Sequence, residues 1–225
     1  MMTSSNLMKG FLAFSILYLA ILVLGFENIS WFLKPLLLPF LFYAVLKTNS
    51  FETKKWLLAA LLFSWIGDCI LLFADKGEVY FISGLVAFLI AHIFLITLFV
   101  KQKSSSIHKQ YKGFWMGFGL VLLYLFGMLF LLIPKLGQLK IPVEVYAIII
   151  SLMLIESVKG VFNWNQKSNY LVFIGAVFFV TSDSILAFNK FYIPIPYASF
   201  WIMSTYLMAQ FCITYGIVKM NGLKS

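Results

Sequence analysis

The stretch FSWIGDCILLF, from Phe63 to Phe73, places an aspartate, Asp68, at the centre of an apolar segment. A second stretch, FFVTSDSILAF at residues 178–188, places Asp183 in the same local context. The Phe, Asp, Ile, Leu and Phe positions of the two stretches coincide at one constant offset of 115 residues (68 to 183). A carboxylate inside a membrane-spanning helix costs about 2.5–3.5 kcal/mol on insertion scales. Two such carboxylates in matching contexts indicate that the chain needs both.

The composition of the chain is typical of a polytopic membrane protein. Of its 225 residues, 62% are hydrophobic and 11% are charged, and the mean hydropathy is +0.97. A soluble domain carries about twice that share of charged residues. We therefore expect one all-α, integral-membrane domain over residues 1–225, with no room for a sizeable soluble domain. If the source is bacterial, the expected location is the inner or plasma membrane.

Eight hydrophobic segments are long enough to cross a bilayer. A helix needs about 20 apolar residues for this, and the segments are residues 8–25, 30–47, 55–74, 79–100, 113–133, 141–159, 168–188 and 197–219. The first segment lacks a clear cleavage site, so we interpret it as a retained span. Pro35 and Pro39 fall in the opening turns of the second, where proline is best tolerated. The prediction is an eight-transmembrane-helix bundle.

The formal net charge is +9, and all 17 basic residues are lysines. Twelve lysines fall on the side of the predicted membrane that holds the N-terminus, and five fall on the other side. Because lysine-rich loops stay in the cytoplasm, both termini are predicted to be cytoplasmic. No basic stripe interleaved with aromatic residues supports nucleic-acid binding. Lipid headgroups are therefore the expected partners of these lysines.

A polar link between Lys101 and Lys112 divides the predicted spans into four and four. The resulting halves, residues 1–103 and 113–225, each carry their aspartate in the third span. This arrangement is typical of a parallel duplication, although apolar helices also share residues by chance. Each carboxyl then lies five or six residues from the predicted outer end of its span, about 8–9 Å below the interface.

The two aspartates are the first candidates for a chemical role. Functional interpretations are a proton relay, a cation site or an acid/base pair. Two neighbouring carboxyls lose their protons in separate steps, so one can be protonated while the other is ionised. The structural alternative is that each aspartate only hydrogen-bonds a neighbouring helix.

Other polar residues accompany the aspartates in the predicted spans. His92 lies in the fourth span, either as a functional or as a packing residue. Lys34 lies near the start of the second span, where it either snorkels to the headgroups or pairs with a carboxylate or a phosphate. A spacing of four residues puts Tyr206, Gln210 and Thr214 on one face of the last span, which is expected to face the bundle interior. Three further polar residues surround the second aspartate: Ser182, Ser184 and Asn189.

Several common catalytic signatures are missing from the sequence. It contains no P-loop, no dinucleotide fingerprint, no His-Glu-x-x-His zinc motif and no Gly-x-Ser-x-Gly elbow. Cys69 and Cys212 lie in apolar segments, and their spacing suggests neither zinc binding nor a disulfide framework. ATP-driven, zinc-protease and serine-hydrolase functions therefore lack their usual support, and no metal site is predicted.

Six short motifs are spread over nearly the whole chain. They are Lys34-Pro35, Gly67-Asp68, GLVAFLIAH at 84–92, Tyr146 with SLM at 151–153, Ser182-Asp183-Ser184, and YLMAQ at 206–210. Together, and in this order, they resemble the YhhN family of multi-pass membrane proteins, which includes the animal lysoplasmalogenases. Phe94 departs from the pattern, because a tyrosine is expected at that position.

The resemblance implies an enzyme that hydrolyses the vinyl ether bond of lysoplasmalogen or of a related ether lysolipid. The products are a fatty aldehyde and a glycerophospho-ethanolamine or -choline, and no metal or organic cofactor is implied. The implied partners are the lysophospholipid, water and membrane lipids. Vinyl ethers hydrolyse through protonation of the β-carbon to an oxocarbenium ion that water captures, and paired carboxyls suit both steps.

Under this interpretation Asp68 and Asp183 are catalytic. One is the acid and the other stabilises the cation and orients water, in either order. Lys34 holds the phosphate, and the further residues expected to bind substrate are His92, Tyr146, Ser182, Ser184, Asn189, Tyr206 and Gln210. The alternative function is a small-solute or proton-coupled transporter that uses the same carboxylates. A third is a structural or lipid-binding membrane protein.

Overall fold

The structure, a computed structural model, describes residues 3–102, 111–164 and 167–221. Within these ranges the chain folds into eight α-helices joined by short connections, so the predicted all-α class is confirmed. The helices are α1 (Ser4–Val23), α2 (Glu27–Leu46), α3 (Lys54–Leu71), α4 (Glu78–Val100), α5 (Tyr111–Leu132), α6 (Lys140–Asn163), α7 (Asn169–Phe191) and α8 (Ala198–Met220). Each corresponds to one of the eight predicted segments. Most of the predicted polar link, residues 103–110, lies outside the described residues.

Seven of the eight described helices are long and apolar enough to cross a membrane. This property makes the chain a multi-pass integral membrane protein. Helix α3 is not among the seven, and its 18 residues include three charged ones, Lys54, Lys55 and Asp68. Large apolar side chains cover the outside of the bundle, and Phe130 is 81% exposed. An eighth span and the cytoplasmic placement of both termini stay predictions.

Helix α2 begins earlier than predicted, and its two prolines are therefore in the helix interior. It starts at Glu27, so the prediction that Pro35 and Pro39 lie in the opening turns is wrong. Pro39 has no N–H to donate to the carbonyl of Pro35, one turn earlier. The indole Nε1 of Trp65 on α3 donates to that carbonyl instead, at 2.7 Å. A contact from a neighbouring helix thus replaces the missing hydrogen bond of α2.

Helices that follow one another in sequence form the closest pairs: α1 with α2, α3 with α4, and α7 with α8. Contacts of α4 with α6 and of α1 with α8 join the first four helices to the last four. Gly175 lets α7 and α8 approach closely, because a Cβ there would lie 2.8 Å from the backbone nitrogen of Ile213. The core between the helices is apolar, and Phe11, Phe99 and Phe179 are fully buried in it. Several of the polar residues predicted for the functional site, among them Asp68 and His92, are buried within this core.

Candidate active site

Asp68 lies near the end of α3, three residues before Leu71, and 5% of its side chain is exposed. Lys34 of α2 places its ammonium nitrogen 3.7 Å from one carboxylate oxygen. The hydroxyl of Tyr206 on α8 donates a hydrogen bond to the other oxygen at 2.7 Å. Both oxygens thus have a partner, which offsets the cost of burying the carboxylate. Of the expectations for Lys34, pairing with a carboxylate is the one that the structure shows.

Asp183 lies further inside its helix, eight residues before Phe191 at the end of α7, and 15% of its side chain is exposed. The hydroxyl of Tyr146 on α6 donates to its Oδ2. Nε2 of His92 on α4 lies 3.4 Å from the same Oδ2 and 3.0 Å from the Tyr146 hydroxyl oxygen. His92 is completely buried. The three side chains form a triangle of polar atoms within which a proton can be exchanged.

The two aspartates lie in separate, adjacent clusters. The ring of Phe179 lies between them, with its centroid 4.6 Å from that of His92 and 5.6 Å from that of Tyr206. The distances of the two carboxylates from the helix ends, about 4.5 Å for α3 and about 12 Å for α7, differ from the equal distances that the sequence predicted. The clusters therefore belong to one interior region but not to one hydrogen-bonded dyad.

Each aspartate is contacted by both halves of the chain. Asp68 on α3 is contacted by Lys34 from α2 of its own half and by Tyr206 from α8 of the other half. Asp183 on α7 is contacted by α6 of its own half and by α4 of the other half. In both cases the third helix of a half pairs with the second helix of that half and the fourth helix of the other.

Two of the polar residues predicted near Asp183 bond the main chain instead of the carboxyl. Ser182 Oγ donates to the carbonyl of Ile202 on α8 at 2.9 Å. Asn189 Oδ1 accepts from the backbone N–H of Ile195, between α7 and α8, at 2.9 Å. These bonds hold α7 against α8 and its connection.

Tyr124 and Tyr18 lie near the clusters but are not among the residues that the sequence predicts for the site. The Tyr124 hydroxyl on α5 hydrogen-bonds Ser184, which follows Asp183 on α7. Tyr18 on α1 is 3% exposed and lies within electrostatic reach of Asp68. Each is an isolated tyrosine in an apolar helix, and the chain has 11 tyrosines, so spacing alone gave no signal for them.

The polar stripe of α8 faces the bundle interior, as predicted. Tyr206, Gln210 and Thr214 have exposed fractions of 3%, 5% and 0%. Gln210 lies beside the Tyr206 hydroxyl, one turn further along the helix. Among the residues that the structure describes, no three His, Cys, Asp or Glu side chains come together as metal ligands would. The polar interior therefore consists of carboxyl, phenol, imidazole, amide, hydroxyl and ammonium groups.

Comparisons with curated proteins find relatives over most of the chain. It is 33% identical to human lysoplasmalogenase TMEM86A over 167 residues, which are 71% of this chain and 63% of that protein. It is 29% identical to mouse lysoplasmalogenase TMEM86B over 174 residues, 77% of this chain and 68% of the relative. The match to the human TMEM86A protein thus spans less than two thirds of that protein's length.

A comparison with protein families gives a match of similar extent. The model of the YhhN family matches residues 29–217, a range that includes every residue of the two aspartate clusters. No solved structure matches the chain. On the extent of this match, the chain belongs to the YhhN family of membrane proteins.

Proposed function

We propose that this chain is an enzyme that hydrolyses the vinyl ether bond of lysoplasmalogen or of a related ether lysolipid. Its membership of the YhhN family and its similarity to proteins named lysoplasmalogenase support the proposal. The observation that carries it is the difference between the two carboxyl clusters. Asp68 has a lysine ammonium as partner, whereas Asp183 has a tyrosine and a histidine. Carboxyls in two protonation states are what this hydrolysis needs.

Asp68 takes the role of the ionised carboxylate. The ammonium of Lys34, 3.7 Å away, favours the charged form of this carboxyl and works against the cost of its burial. Donation from a tyrosine hydroxyl is common to both aspartates, so the lysine is what distinguishes Asp68. A fixed negative charge in a site shielded from water stabilises the oxocarbenium ion as it forms. The same carboxylate can orient the water that attacks this ion, as paired carboxyls do around glycosidic bonds.

Asp183 takes the role of the acid. Its protonated carboxyl gives the proton to the β-carbon of the vinyl ether, and the electron pair of the C=C bond forms the new C–H bond. The resulting cation is shared between the α-carbon and the ether oxygen. Water adds to the α-carbon and returns one proton to Asp183, which gives a hemiacetal. Breaking the C–O bond of the hemiacetal releases the fatty aldehyde and leaves a hydroxyl on the glycerophospho product.

Lys34 connects this chemistry to the lipid headgroup. Its side chain is 17% exposed, and an ammonium carries three donors, so it can contact Asp68 and a phosphate together. His92 and Tyr146 hold the Asp183 carboxyl in place through Oδ2. Tyr206 does the same for Asp68, and Gln210 beside it adds a polar group to the interior.

Release of aldehyde from a purified lysoplasmalogen tests the proposal. We expect Asp68→Asn and Asp183→Asn to lower kcat by about a hundredfold or more, the range for loss of a general acid or base. Glu156→Gln is the matched control, because Glu156 pairs with Lys159 at 3.1 Å on α6, and we expect it to keep full activity. Mass spectrometry of the aldehyde and of the headgroup product gives the rate. Full turnover in either aspartate variant would overturn the proposed mechanism.

A small-solute or proton-coupled transporter is the second candidate. The observation that favours it is the matching placement of the two carboxyls on the third helix of each half, since transporter sites often lie between repeats. Solute or proton flux in proteoliposomes, lost in both aspartate variants and found without lipid turnover, would reverse the order of the two candidates.

A further inference from the structure

An apolar groove lies between α2 and α3. It encloses about 220 Å³. Six residues line it, all of them apolar or aromatic: Leu38, Pro39, Phe42, Leu61, Leu62 and Trp65. Leu38 and Leu61 form its buried floor, with exposed fractions of 1% and 2%, while Leu62 at its rim is 40% exposed. The groove is therefore open towards the outside of the bundle, where lipid surrounds the protein.

The ion pair of Lys34 and Asp68 does not line the groove but lies one helical turn away from it on the same two helices. On α2, Leu38 and Phe42 lie one and two helical turns beyond Lys34. On α3, Trp65 precedes Asp68 by three residues, about one turn. At 1.5 Å per residue, Phe42 at the far end of the groove lies about 12 Å along α2 from Lys34, and the lined part from Leu38 to Phe42 takes up about 6 Å of this distance. The ion pair and the apolar groove thus lie one after the other between the same two helices.

The wall of this groove offers no free polar group to a ligand. Trp65 carries the one polar side-chain atom among the lining residues, and its Nε1 already donates to the carbonyl of Pro35. That bond also saturates the carbonyl that Pro39 leaves without a donor. A polar or charged ligand would lose its hydration in such a groove without compensation. The chemistry of the groove therefore selects a hydrocarbon chain.

We propose that the groove between α2 and α3 binds the hydrocarbon chain of the lysolipid, with its phosphate at Lys34. This assignment rests on the proposed function and names the part of the substrate that the groove takes. Charge complementarity decides the occupant: the Lys34 ammonium keeps donors beside Asp68 for a phosphate, and the apolar groove takes one hydrocarbon chain, which together fit a lysophospholipid. Because the groove has a limited length, it sets a preference for chain length.

Substitution at the rim tests the groove. We expect Leu62→Trp to fill the groove and to raise KM about tenfold for a long-chain alkenyl lysophospholipid, which corresponds to about 1.4 kcal/mol. KM for a short-chain analogue should change much less. Leu36→Trp is the matched control, because Leu36 is a 52% exposed leucine of α2 that does not line the groove. Phe42→Ala lengthens the groove, so its preference should shift towards longer chains.

Binding of a saturated alkyl lysophospholipid separates this inference from the proposed function. This probe lacks the vinyl ether, so native mass spectrometry reports its binding without turnover. If the probe binds Leu62→Trp more weakly than Leu36→Trp, the groove binds the hydrocarbon chain. This conclusion holds even if no vinyl ether is cleaved, and in that case only the proposed function fails. If Leu62→Trp, Leu36→Trp and Phe42→Ala all cleave the lysolipid with the chain-length preference and the probe affinity of the wild type, the groove does not bind the chain. The proposed function then still holds. A co-purified two-chain phospholipid that the probe does not displace also overturns the assignment of the groove to the lysolipid chain.

Discussion

At the scale of single residues, the ion pair of Lys34 and Asp68 is the contact whose loss has the clearest consequence. Lys34→Met leaves a buried carboxylate that keeps its hydrogen bond from Tyr206 but loses its positively charged partner. Removing one partner of a buried pair costs about 3–5 kcal/mol, and we expect the lower end because the Lys34 side chain is 17% exposed. Thermal unfolding in detergent measures the loss.

The double variant Lys34→Met/Asp68→Asn is the control for this prediction. It leaves no unpaired charge in the core, so it should recover most of the stability that Lys34→Met loses. It should not recover activity, because the carboxylate is absent. If the double variant is as unstable as Lys34→Met alone, the stability loss comes from packing and not from the buried charge.

The partners of individual residues show where prediction from the sequence ends. Pairing of Lys34 with a carboxylate was among the sequence-based expectations, because opposite charges in an apolar bundle attract each other. The meeting of His92 and Tyr146 at Asp183 was not predicted, since it depends on how three helices are rotated against one another. Ser182 adjoins Asp183 in the sequence, yet consecutive helix residues point about 100° apart, so Ser182 bonds α8 instead.

At the scale of elements, the bond from Trp65 to the Pro35 carbonyl fixes α3 against α2. Trp65→Phe leaves that carbonyl without its donor inside the helix pair, and a buried unsatisfied carbonyl costs about 1–3 kcal/mol. We expect Trp65→Phe/Pro39→Ala to recover part of this loss, because an alanine at position 39 supplies the N–H that the helix lacks. Thermal unfolding of the wild type, both single variants and the double variant measures the coupling. If the effects of the two substitutions on the unfolding temperature are strictly additive, Trp65 and Pro39 are not coupled through the Pro35 carbonyl and the prediction is wrong.

The positions of the helices followed from the sequence because a membrane span needs about 20 apolar residues, and each of the eight helices coincides with one such predicted segment. The start of α2 did not follow, because the predicted apolar segment begins at residue 30, which put Pro35 and Pro39 in the opening turns, where proline is best tolerated. In the structure the helix continues from Glu27 through both prolines, since Trp65 supplies the donor from outside. A sequence pattern along one helix contains no information about a hydrogen bond from its neighbour.

At the scale of the whole molecule, the parallel duplication stays a prediction, but the contacts around the aspartates have the form that it requires. Asp68 needs α2 and α8, and Asp183 needs α6 and α4. Neither half thus completes its own cluster. The comparable placement of the two carboxyls was visible in the sequence as an offset of 115 residues (68 to 183). The contact of each aspartate with the fourth helix of the other half was not visible, because it exists only after the halves have packed.

These contacts between the halves predict how the protein behaves when its polar link is cut. Residues 1–103 and 113–225, expressed together as separate chains, should assemble and hydrolyse the lysolipid, because each half supplies a helix that the other half's aspartate needs. Contacts of α4 with α6 and of α1 with α8 hold the halves together without the link. Co-purification through a tag on one half, followed by the aldehyde assay, measures both outcomes. Each half expressed alone is the control, and activity of either one alone would show that a single aspartate cluster suffices and that the halves do not complete each other.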